Sequence, residues 1–466
     1  EAIERGRHRI AFDEVFLLQL RAYEQKRAWQ ATQQAKPFAI KEELLYAFIE
    51  KLPFILTDDQ RTATKEIISD LQKTVPMNRL LEGDVGSGKT VIAAIAMYIA
   101  HLNKMQSILM APTVILAQQH YVTISKLLAP YGIKVGLVTS DEKNTGDVLV
   151  GTHALLTKQH MFKKTGLVVV DEQHRFGVEQ RAVLIGDKKV TPHFLTMTAT
   201  PIPRTMAKTI LGSIDISALK QMPKGRQVIK TWVVPPVKRE RAHDWMEKQM
   251  RDTGGQIFVI CPLIEASETL LDVKAVKEEF ERIKKRFPRV GVGLLHGRLK
   301  AAEKTNALDD FRAKKTMILV ATPVVEVGID IPGATIMVVE GADRFGLGQL
   351  HQLRGRVGRG SLQSYCLLFT QAIEEKTIER LKALETIHNG PELAEVDLAL
   401  RGPGEIFGRR QHGVPHLKIA TFTDMATINQ TQAALRGITR RDPELIGFPL
   451  LREIAKKGTI EAVSKD

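Results

Sequence analysis

From about Leu52 onward the chain repeats one pattern, in which a short, continuous apolar run is followed by a segment whose apolar residues recur at helical spacing. The first six runs are RLLEG, SILMAPT, VGLVTS, DVLVGT, LVVVDE and HFLTMTAT. Continuous runs of this length are typical of strands in a parallel sheet that helices cover on both faces. The series stops near Thr200 and predicts an α/β domain over residues 51–222.

A second series of the same kind follows a polar link, LKQMPKGRQ, which contains Pro223 and Gly225. Its apolar runs are VIKTWVV, QIFVICP, VGVGLLHG, TMILVAT, TIMVVEG and YCLLFT. We place a domain boundary in the link and a second α/β domain over residues 223–380, with a further region over residues 381–466.

The first fifty residues have a different texture. Phe16, Leu17 and Leu20 recur at helical spacing and precede the charged run RAYEQKRAWQATQQAK, which predicts a helical region over residues 1–50. The apolar run VIAAIAMYIA is too short to cross a bilayer, and the N-terminus has no signal-peptide hydrophobic region, so we expect no membrane association.

Composition adds a preference for anionic partners. The 466 residues carry a net charge of +14, which favours nucleic acid first and an anionic membrane surface second. The two cysteines, Cys261 and Cys366, both lie in apolar strand-like runs. We expect them to be small buried hydrophobic residues and not a disulfide or a metal site.

The segment GDVGSGKT fits the phosphate-binding pattern G-x-x-x-x-G-K-[ST] at every fixed position, and it lies between a predicted strand and a predicted helix. Its glycines let backbone N–H groups surround phosphate oxygens at a helix N-terminus. Lys89 would neutralise the β- and γ-phosphates, and the Thr90 hydroxyl would ligate Mg²⁺. The predicted nucleotide-binding residues of this loop are Gly83, Asp84, Val85, Gly86, Ser87, Gly88, Lys89 and Thr90.

The run LVVVDEQH places Asp171 and Glu172 at the carboxyl end of a predicted strand. Asp171 suits a direct or water-mediated Mg²⁺ ligand, and Glu172 can orient and deprotonate an attacking water. The alternative is a solvated strand end. His174 either couples two sites or caps the turn.

The segment QLRGRVGRG of the second domain holds Arg354, Arg356 and Arg359. An arginine that stabilises charge on a transferred γ-phosphoryl accelerates hydrolysis by about 10³–10⁵. We predict this role for Arg356 and Arg359, which would place ATP in the cleft between the domains. The alternative is a basic patch for nucleic acid.

The phosphate loop, DEQH, MTATP, VVEVGIDIP and QLRGRVGRG occur in the order typical of superfamily 2 helicases and translocases, which the chain resembles from about Leu52 onward. Finer features resemble the RecG family of bacterial branched-DNA helicases over nearly the whole chain. They include GDVGSGKT, APTVILAQQH, VGTHAL, DEQHRFGVEQR, MTATPIPRT, GADRFGLGQLHQLRGRVGRG and LRGPGEIFGRRQHG. The transcription-repair coupling factor Mfd shares the last segment, but its members usually carry a bulky residue in place of Ser87 and DEEHRFG in place of DEQHRFG.

This resemblance implies two tandem RecA-like P-loop domains with parallel sheets, an N-terminal helical segment and a C-terminal region with a helical hairpin and a loop. It also implies an ATP hydrolase that requires Mg²⁺ and acts on branched and duplex DNA in repair and recombination. The implied protein is a monomer in the bacterial cytoplasm, associated with the nucleoid.

The resemblance further implies roles for single residues around ATP. Gln60, in LPFILTDDQ, would read adenine, and Gly328 and Asp330, in EVGIDIP, would line the cleft beside ATP. Thr198 and Thr200, in MTATP, would link hydrolysis to DNA movement. The loops implied to contact the DNA backbone contain Pro112, Thr113, Thr152, His153, His296, Gly297 and Thr322. The alternative for each loop is an ordinary connection between a strand and a helix.

The segment LRGPGEIFGRRQHG resembles the part of RecG and Mfd that is associated with translocation. We interpret it as a lever that converts cleft closure into movement along duplex DNA, with Arg401 and Arg410 binding carboxylates or phosphates. Arg409 and His412 depart from the family pattern and have no assigned role. The alternative is a surface loop.

RecG-like proteins carry an oligonucleotide-binding wedge domain near their N-terminus, whereas residues 1–50 resemble only the helical linker that follows it. We therefore expect a chain that was shortened or that lacks the wedge. Three alternatives stay open at this point: an Mfd-like duplex translocase, an enzyme that acts on RNA, and a non-catalytic nucleic-acid-binding scaffold.

Overall fold

The computed structural model describes residues 2–140, 142–157, 164–172, 190–200, 214–222, 227–262, 270–323, 331–360, 362–401, 419–421 and 424–455, and at residues 270–273, 301 and 401 it describes the backbone. Its centre consists of two parallel β-sheets in tandem, with helices packed against them. This arrangement confirms the predicted α/β fold with two RecA-like domains.

The elements below are numbered in chain order within the described residues. The helices are α1 (Ala2–Thr32), α2 (Glu42–Glu50), α3 (Asp58–Leu71), α4 (Lys89–Leu102), α5 (Val114–Leu128), α6 (Arg239–Thr253), α7 (Leu270–Arg286), α8 (Ala301–Arg312), α9 (Leu347–Arg354), α10 (Glu375–Thr386), α11 (Gly390–Arg401) and α12 (Met425–Arg441). The strands of the first sheet are β1 (Asn78–Gly83), β2 (Gln106–Met110), β3 (Val135–Val138), β4 (Val148–Gly151), β5 (Thr165–Asp171), β6 (His193–Thr198) and β7 (Asp215–Leu219). Those of the second are β8 (Lys230–Val234), β9 (Gln256–Ile260), β10 (Val292–Leu295), β11 (Ile318–Ala321), β12 (Ala334–Val339) and β13 (Tyr365–Phe369).

The first sheet has the strand order β3-β4-β2-β5-β6-β1-β7, and every pairing is parallel. The prediction that this series stops near Thr200 is wrong, because β7 pairs with β1 at the edge of the sheet. The strand was missed because it is short and polar at alternate positions. Its Ser217 hydroxyl is buried and accepts a hydrogen bond from Nη1 of Arg79 at 2.8 Å.

Helix α4 lies at the centre of the first domain. All its side chains from Val91 to Ala100 are buried, and they pack among α2, α3, α5 and the sheet. A helix that is apolar on every side is stable only inside a core. Because α4 is buried in this way, the phosphate loop that precedes it has a fixed position at the centre of the domain.

The second sheet has the order β10-β11-β9-β12-β13-β8 and is also parallel, with apolar clusters on both faces. All six of its strands coincide with the predicted runs. The two cysteines, Cys261 and Cys366, are free and buried in this domain, as predicted. The last strand of the first sheet ends at Leu219 and β8 begins at Lys230, on either side of the predicted boundary.

The N-terminal and C-terminal parts of the chain form one helical unit. Helix α1 packs along α12, with Phe16 and Leu20 against Leu435 in a shared apolar cluster. The other end of α1 is fastened to the first domain, where Lys26 Nζ lies 2.7 Å from Asp215 Oδ1. Helix α12 is therefore connected to the first domain through α1.

Helices α10 and α11 form a hairpin that packs against α9 of the second domain. The hairpin leads directly into residues 402–418, which contain most of the predicted translocation segment and lie outside the described residues. Among the helices that the structure describes, none combines the length and the hydrophobicity that a bilayer-crossing segment requires.

Candidate active site

The phosphate loop joins β1 to α4 at the carboxyl edge of the first sheet. Gly86 and Gly88 have φ angles of +83° and +91°, in the left-handed region that favours glycine. A Cβ on Gly88 would also collide with Nε2 of Gln60. The Lys89 ammonium donates to the carbonyl oxygens of Gly83 and Asp84 at 2.6 and 3.1 Å. The lysine is thus held at the loop, where phosphate oxygens of a bound nucleotide would replace these carbonyl oxygens as hydrogen-bond acceptors.

Burial lowers the pKa of Lys89, while the charges of Glu172, Asp171 and Asp84 act in the opposite direction. An ammonium group that is short of solvent and close to three carboxylates is prepared to bind an anion, because the phosphate replaces the lost hydration. This environment fits the predicted role of Lys89.

Gln60 is buried against the loop, and its amide has two partners. Its Nε2 donates to the Ser87 carbonyl at 2.7 Å, and its Oε1 accepts from the Thr57 N–H at 2.9 Å. Gln60 therefore braces the phosphate loop from the first turn of α3. Its contact with adenine stays a prediction.

Asp171 ends β5 and is held by His120 of α5, whose Nε2 lies 2.7 Å from Asp171 Oδ2. Burial would raise the pKa of Asp171, but the hydrogen bond and charge of His120, with the charges of Lys89 and Arg356, hold it below its usual value. The ionised carboxylate accepts, so His120 donates. This leaves Oδ1 for another partner. His120 ends the run APTVILAQQH, and its sequence context alone predicts no role for it.

Glu172 is the most constrained residue of the site. Its φ of +57° lies in the left-handed region, which costs a non-glycine residue about 1–2 kcal/mol. The conformation presents its carboxylate to the MTATP segment at the end of β6, where Thr198 Oγ1 and the Ala199 N–H each donate to it at 3.1 Å. The Thr200 N–H donates to Thr198 Oγ1 at 3.0 Å, so the two predicted coupling threonines form one network with Glu172.

The second domain reaches this site through α9 and the loop after it. Gln352 Nε2 donates to Thr200 Oγ1 at 2.7 Å, and His351 Nε2 lies 2.8 Å from Asp84 Oδ1. A Cβ on Gly355 would lie 3.0 Å from the Val85 Cβ, so the backbones of the two domains nearly touch. Neither His351 nor Gln352 was singled out in the sequence.

Arg356 lies close enough to the catalytic cluster for its charge to affect the pKa values of both Lys89 and Asp171. Its position fits the predicted stabilisation of a γ-phosphoryl from the second domain. Arg359 follows three residues later and is half-buried, and its role stays a prediction. Arg354 points away from the cleft, because its Nη1 donates to the Leu384 and Ile387 carbonyls at 2.7 and 3.1 Å.

The predicted DNA-contacting residues follow strands at the carboxyl edges of the two sheets. Pro112 precedes Thr113, whose hydroxyl caps α5, and the Thr152 hydroxyl caps the short turn that begins at His153. His296 and Thr322 follow β10 and β11 and are buried, and the carbonyl of Gly297 accepts from Lys304. The structure thus places these loops on the expected edges, and their contacts with DNA stay predictions.

Four predicted site residues, His174, Gly328, Asp330 and Arg410, lie outside the described residues. Arg401 ends helix α11, and only its backbone is described. Their assigned roles stay predictions.

Comparison with known proteins identifies both domains and the chain as a whole. The DEAD/DEAH box helicase family matches residues 57–209, and the helicase conserved C-terminal domain matches residues 238–361. The chain is 44% identical over 482 residues to the ATP-dependent DNA helicase RecG of Bacillus subtilis, covering 99% of this chain and 70% of that protein. It is 45% identical over 471 residues to the RecG of Synechocystis, covering 97% and 56%.

A solved structure of RecG bound to a three-way DNA junction is similar to this chain with a TM-score of 0.76 and 38% sequence identity. The match covers 93% of this chain and 57% of the RecG chain. The chain therefore spans between about half and 70% of the length of these relatives.

Proposed function

The chain belongs to the RecG family of ATP-dependent DNA helicases, and we propose that it hydrolyses ATP to move along duplex DNA and to remodel branched DNA such as stalled forks and Holliday junctions. The observation that carries this proposal is the cleft itself. Gln352 Nε2 and His351 Nε2 of the second domain lie 2.7 and 2.8 Å from Thr200 Oγ1 and Asp84 Oδ1 of the first, and the charge of Arg356 acts on Lys89 and Asp171. Such a two-sided site would bind ATP on the first domain and complete its set of charged groups when the domains come together.

The chemistry follows from the positions of these groups. Lys89 exchanges its carbonyl partners for phosphate oxygens, and Arg356 balances the charge that develops on the transferred γ-phosphoryl. Glu172 orients a water and accepts its proton, with its carboxylate direction set by Thr198 and Ala199. The reaction is therefore water attack on the γ-phosphoryl, with ADP and phosphate as products.

Asp171 and Thr90 are the residues that would hold Mg²⁺ in this site. Asp171 is ionised, and His120 engages only one of its oxygens, while Thr90 lies in the first turn of α4 beside the loop. The described residues contain no group of three or more acidic, histidine or cysteine side chains that could hold a metal ion. This is compatible with Mg²⁺, which takes few protein ligands and completes its shell with phosphates and water. When bound, the ion would neutralise negative charge between the phosphates.

Cleft closure is the step that would link hydrolysis to DNA. The Gln352 amide binds Thr200, which binds Thr198, which in turn binds Glu172. A shift of α9 relative to the first domain therefore reaches the catalytic carboxylate through three hydrogen bonds. These hydrogen bonds support the coupling role that the resemblance implies for Thr198 and Thr200.

DNA would be bound through its phosphates by the loops at the carboxyl edges of both sheets. The net charge of +14 favours such binding. Contacts of this kind do not read bases, so we expect little sequence preference and an affinity that falls steeply with salt. We further propose that the protein acts as a monomer on nucleoid DNA in the bacterial cytoplasm.

The translocation segment would act as the lever between the two domains. On its N-terminal side α11 packs against the second domain, and on its C-terminal side the Ile419 and Ala420 N–H groups donate to Glu14 of α1 at 3.0 and 2.9 Å. Since α1 is fastened to the first domain, opening of the cleft would change the separation of the segment's ends. Replacing Arg410 by Ala is expected to reduce both DNA-stimulated hydrolysis and strand displacement. Normal rates of both would exclude the lever.

The direct test is phosphate release in the presence of Mg²⁺ and three-way-junction DNA. The chain is expected to hydrolyse ATP faster with DNA than without it, and Lys89→Ala is expected to abolish hydrolysis. The exposed Lys126→Ala is a matched control that should behave like the wild type. No phosphate release by the wild type would favour a non-catalytic nucleic-acid-binding scaffold.

A further inference from the structure

Asp84 of the phosphate loop directs its carboxylate to the second domain. Its Oδ1 lies 2.8 Å from His351 Nε2, and its Oδ2 accepts from the Gly390 N–H at 3.4 Å. His351 belongs to α9, and Gly390 begins α11 of the hairpin. A side chain near the start of the nucleotide-binding loop is thus bonded to two elements that lie more than 260 residues away in the sequence.

His351 has a second partner that determines its tautomer. Its Nδ1 lies 2.9 Å from Nη2 of Arg354, and a guanidinium can only donate. Nδ1 is therefore the acceptor, and the proton on Nε2 is the one that His351 donates to Asp84. The three side chains form a directed chain of hydrogen bonds from Arg354 through His351 to Asp84.

Arg354 extends this chain into the hairpin. Its other terminal nitrogen, Nη1, donates to the carbonyls of Leu384 and Ile387, where α10 ends and the turn to α11 follows. A cation at a helix C-terminus is favoured by the helix dipole. Both helices of the hairpin are thus attached to the phosphate loop, α10 through Arg354 and His351, and α11 through the Gly390 N–H.

The hydrogen-bonded side chains of Arg354 and His351 are shielded from water. His351 and Arg354 are 6% and 3% exposed, and the partners of the Arg354 guanidinium are two carbonyls and an imidazole. Burying a cation without a carboxylate in direct contact is costly, and the negative charge of Asp84, beyond the imidazole, favours the charged guanidinium. Hydrogen bonds of charged groups are also strong and directional when they are removed from solvent.

We propose that His351 is a positioning residue that fastens Asp84 of the phosphate loop to Arg354, so that the α10–α11 hairpin follows the loop when the ATP cleft closes. The proposal rests on the proposed function, because it names the connection by which nucleotide binding would reach the translocation segment. In this role His351 has no contact with ATP and no part in proton transfer. What depends on His351 is the stimulation of ATP hydrolysis by DNA.

The test uses three replacements of His351 in the full chain. Gln can donate to Asp84 and accept from Arg354 with little change in reach, so His351→Gln should retain the connection. Asn is one carbon shorter, and Leu has no polar atom, so His351→Asn and His351→Leu should lose it. The buried His243→Leu of the second domain is a matched control, since both His243 ring nitrogens lack a hydrogen-bond partner among the described residues.

The measurement is kcat and KM for ATP, with and without saturating three-way-junction DNA. For His351→Asn and His351→Leu we expect the stimulation of kcat by DNA to fall roughly tenfold or more, as for a lost charge-assisted hydrogen bond, with KM changed by less than about threefold. His351→Gln and His243→Leu should retain wild-type stimulation.

Two outcomes would overturn the proposal. If all three replacements of His351 keep normal stimulation, the connection has no coupling role. If all three lose it equally while they remain folded by circular dichroism, His351 acts by packing and not by its hydrogen bonds. In both cases wild-type hydrolysis that is sensitive to Lys89→Ala would leave the proposed function intact.

Discussion

The two halves of the ATP site are built in different ways. The first domain orients its catalytic groups with its own residues: Lys89 is held by loop carbonyls, Asp171 by His120, and Glu172 by Thr198 and Ala199. The second domain contributes through hydrogen bonds that cross the cleft, from His351 and Gln352, and through the charge of Arg356. We therefore propose that the first domain prepares the chemical step and that the second domain controls when it occurs.

This difference predicts two kinds of mutant. Substitutions in the first domain should lower the rate of the chemical step whether or not DNA is bound. Substitutions in the second domain should lower the rate mainly when the cleft closes, because their contacts with the first domain form only then. Replacements of Arg356, Glu172, Gln352 and His120 would separate these two classes.

The largest effect is expected for Arg356→Ala. Loss of the cation that we propose to balance charge on the γ-phosphoryl should lower kcat by about 10³–10⁵. Binding of ATP to the first domain should be reduced much less. Equilibrium binding of a fluorescent ATP analogue and steady-state hydrolysis measure the two quantities. Hydrolysis at the wild-type rate would remove Arg356 from the transition state.

Glu172→Gln is expected to lower kcat by about 10²–10⁴, because the amide keeps the shape of the side chain but cannot accept a proton from water. The loss should be the same with and without DNA, which distinguishes it from changes in the second domain. Glu142→Gln, an exposed residue of the same domain, is a matched control. A loss seen only with DNA would contradict a role in the chemical step.

Gln352→Ala should have a smaller effect that depends on DNA. Removing the bond to Thr200 is expected to reduce DNA-stimulated hydrolysis roughly tenfold, since Glu172 keeps its partners within the first domain. The basal rate should fall less. Equal losses in both rates, measured by phosphate release, would mean that Gln352 serves the chemical step directly.

The smallest effect on kcat is expected for His120→Leu, which should be visible mainly in Mg²⁺ dependence. Without its partner, Asp171 loses its fixed orientation, and the Mg²⁺ concentration for half-maximal hydrolysis should rise about tenfold or more. At saturating Mg²⁺ kcat should recover to within a few-fold of the wild type. An unchanged Mg²⁺ requirement would show that Asp171 needs no support from His120.

Much of this organisation could be predicted from the sequence. Buried parallel strands are continuous apolar runs, so all six strands of the second sheet were found, and the phosphate loop and Asp171–Glu172 followed from their positions at strand ends. Strand β7 was missed because Ser217 and its other polar positions interrupt the run. The Ser217 hydroxyl is bound by Arg79 and the Asp215 carboxylate by Lys26, and periodicity does not reveal these interactions.

The contacts that connect the site were missed for a related reason. His120 lies 51 residues from Asp171, Gln352 lies 152 from Thr200, and His351 lies 267 from Asp84. A histidine within an apolar helix is usually a core residue, and its partner becomes evident only when the strands are placed side by side. Arg354 is the opposite case, a residue whose motif drew attention in the sequence but whose contacts lie elsewhere. It belongs to the arginine-rich motif QLRGRVGRG, yet its guanidinium donates to carbonyl oxygens of the hairpin.

The central claim is that the second domain acts on a prepared site by closing across it. The most direct measurement is single-molecule energy transfer between dyes at Lys126→Cys and Lys285→Cys, two exposed positions in the two domains of a chain whose native cysteines are buried. With a non-hydrolysable ATP analogue and duplex DNA, the energy-transfer efficiency should stay at one steady value. During ATP turnover the efficiency should alternate between two values at the frequency of phosphate release. A single unchanging value throughout turnover would contradict the claim.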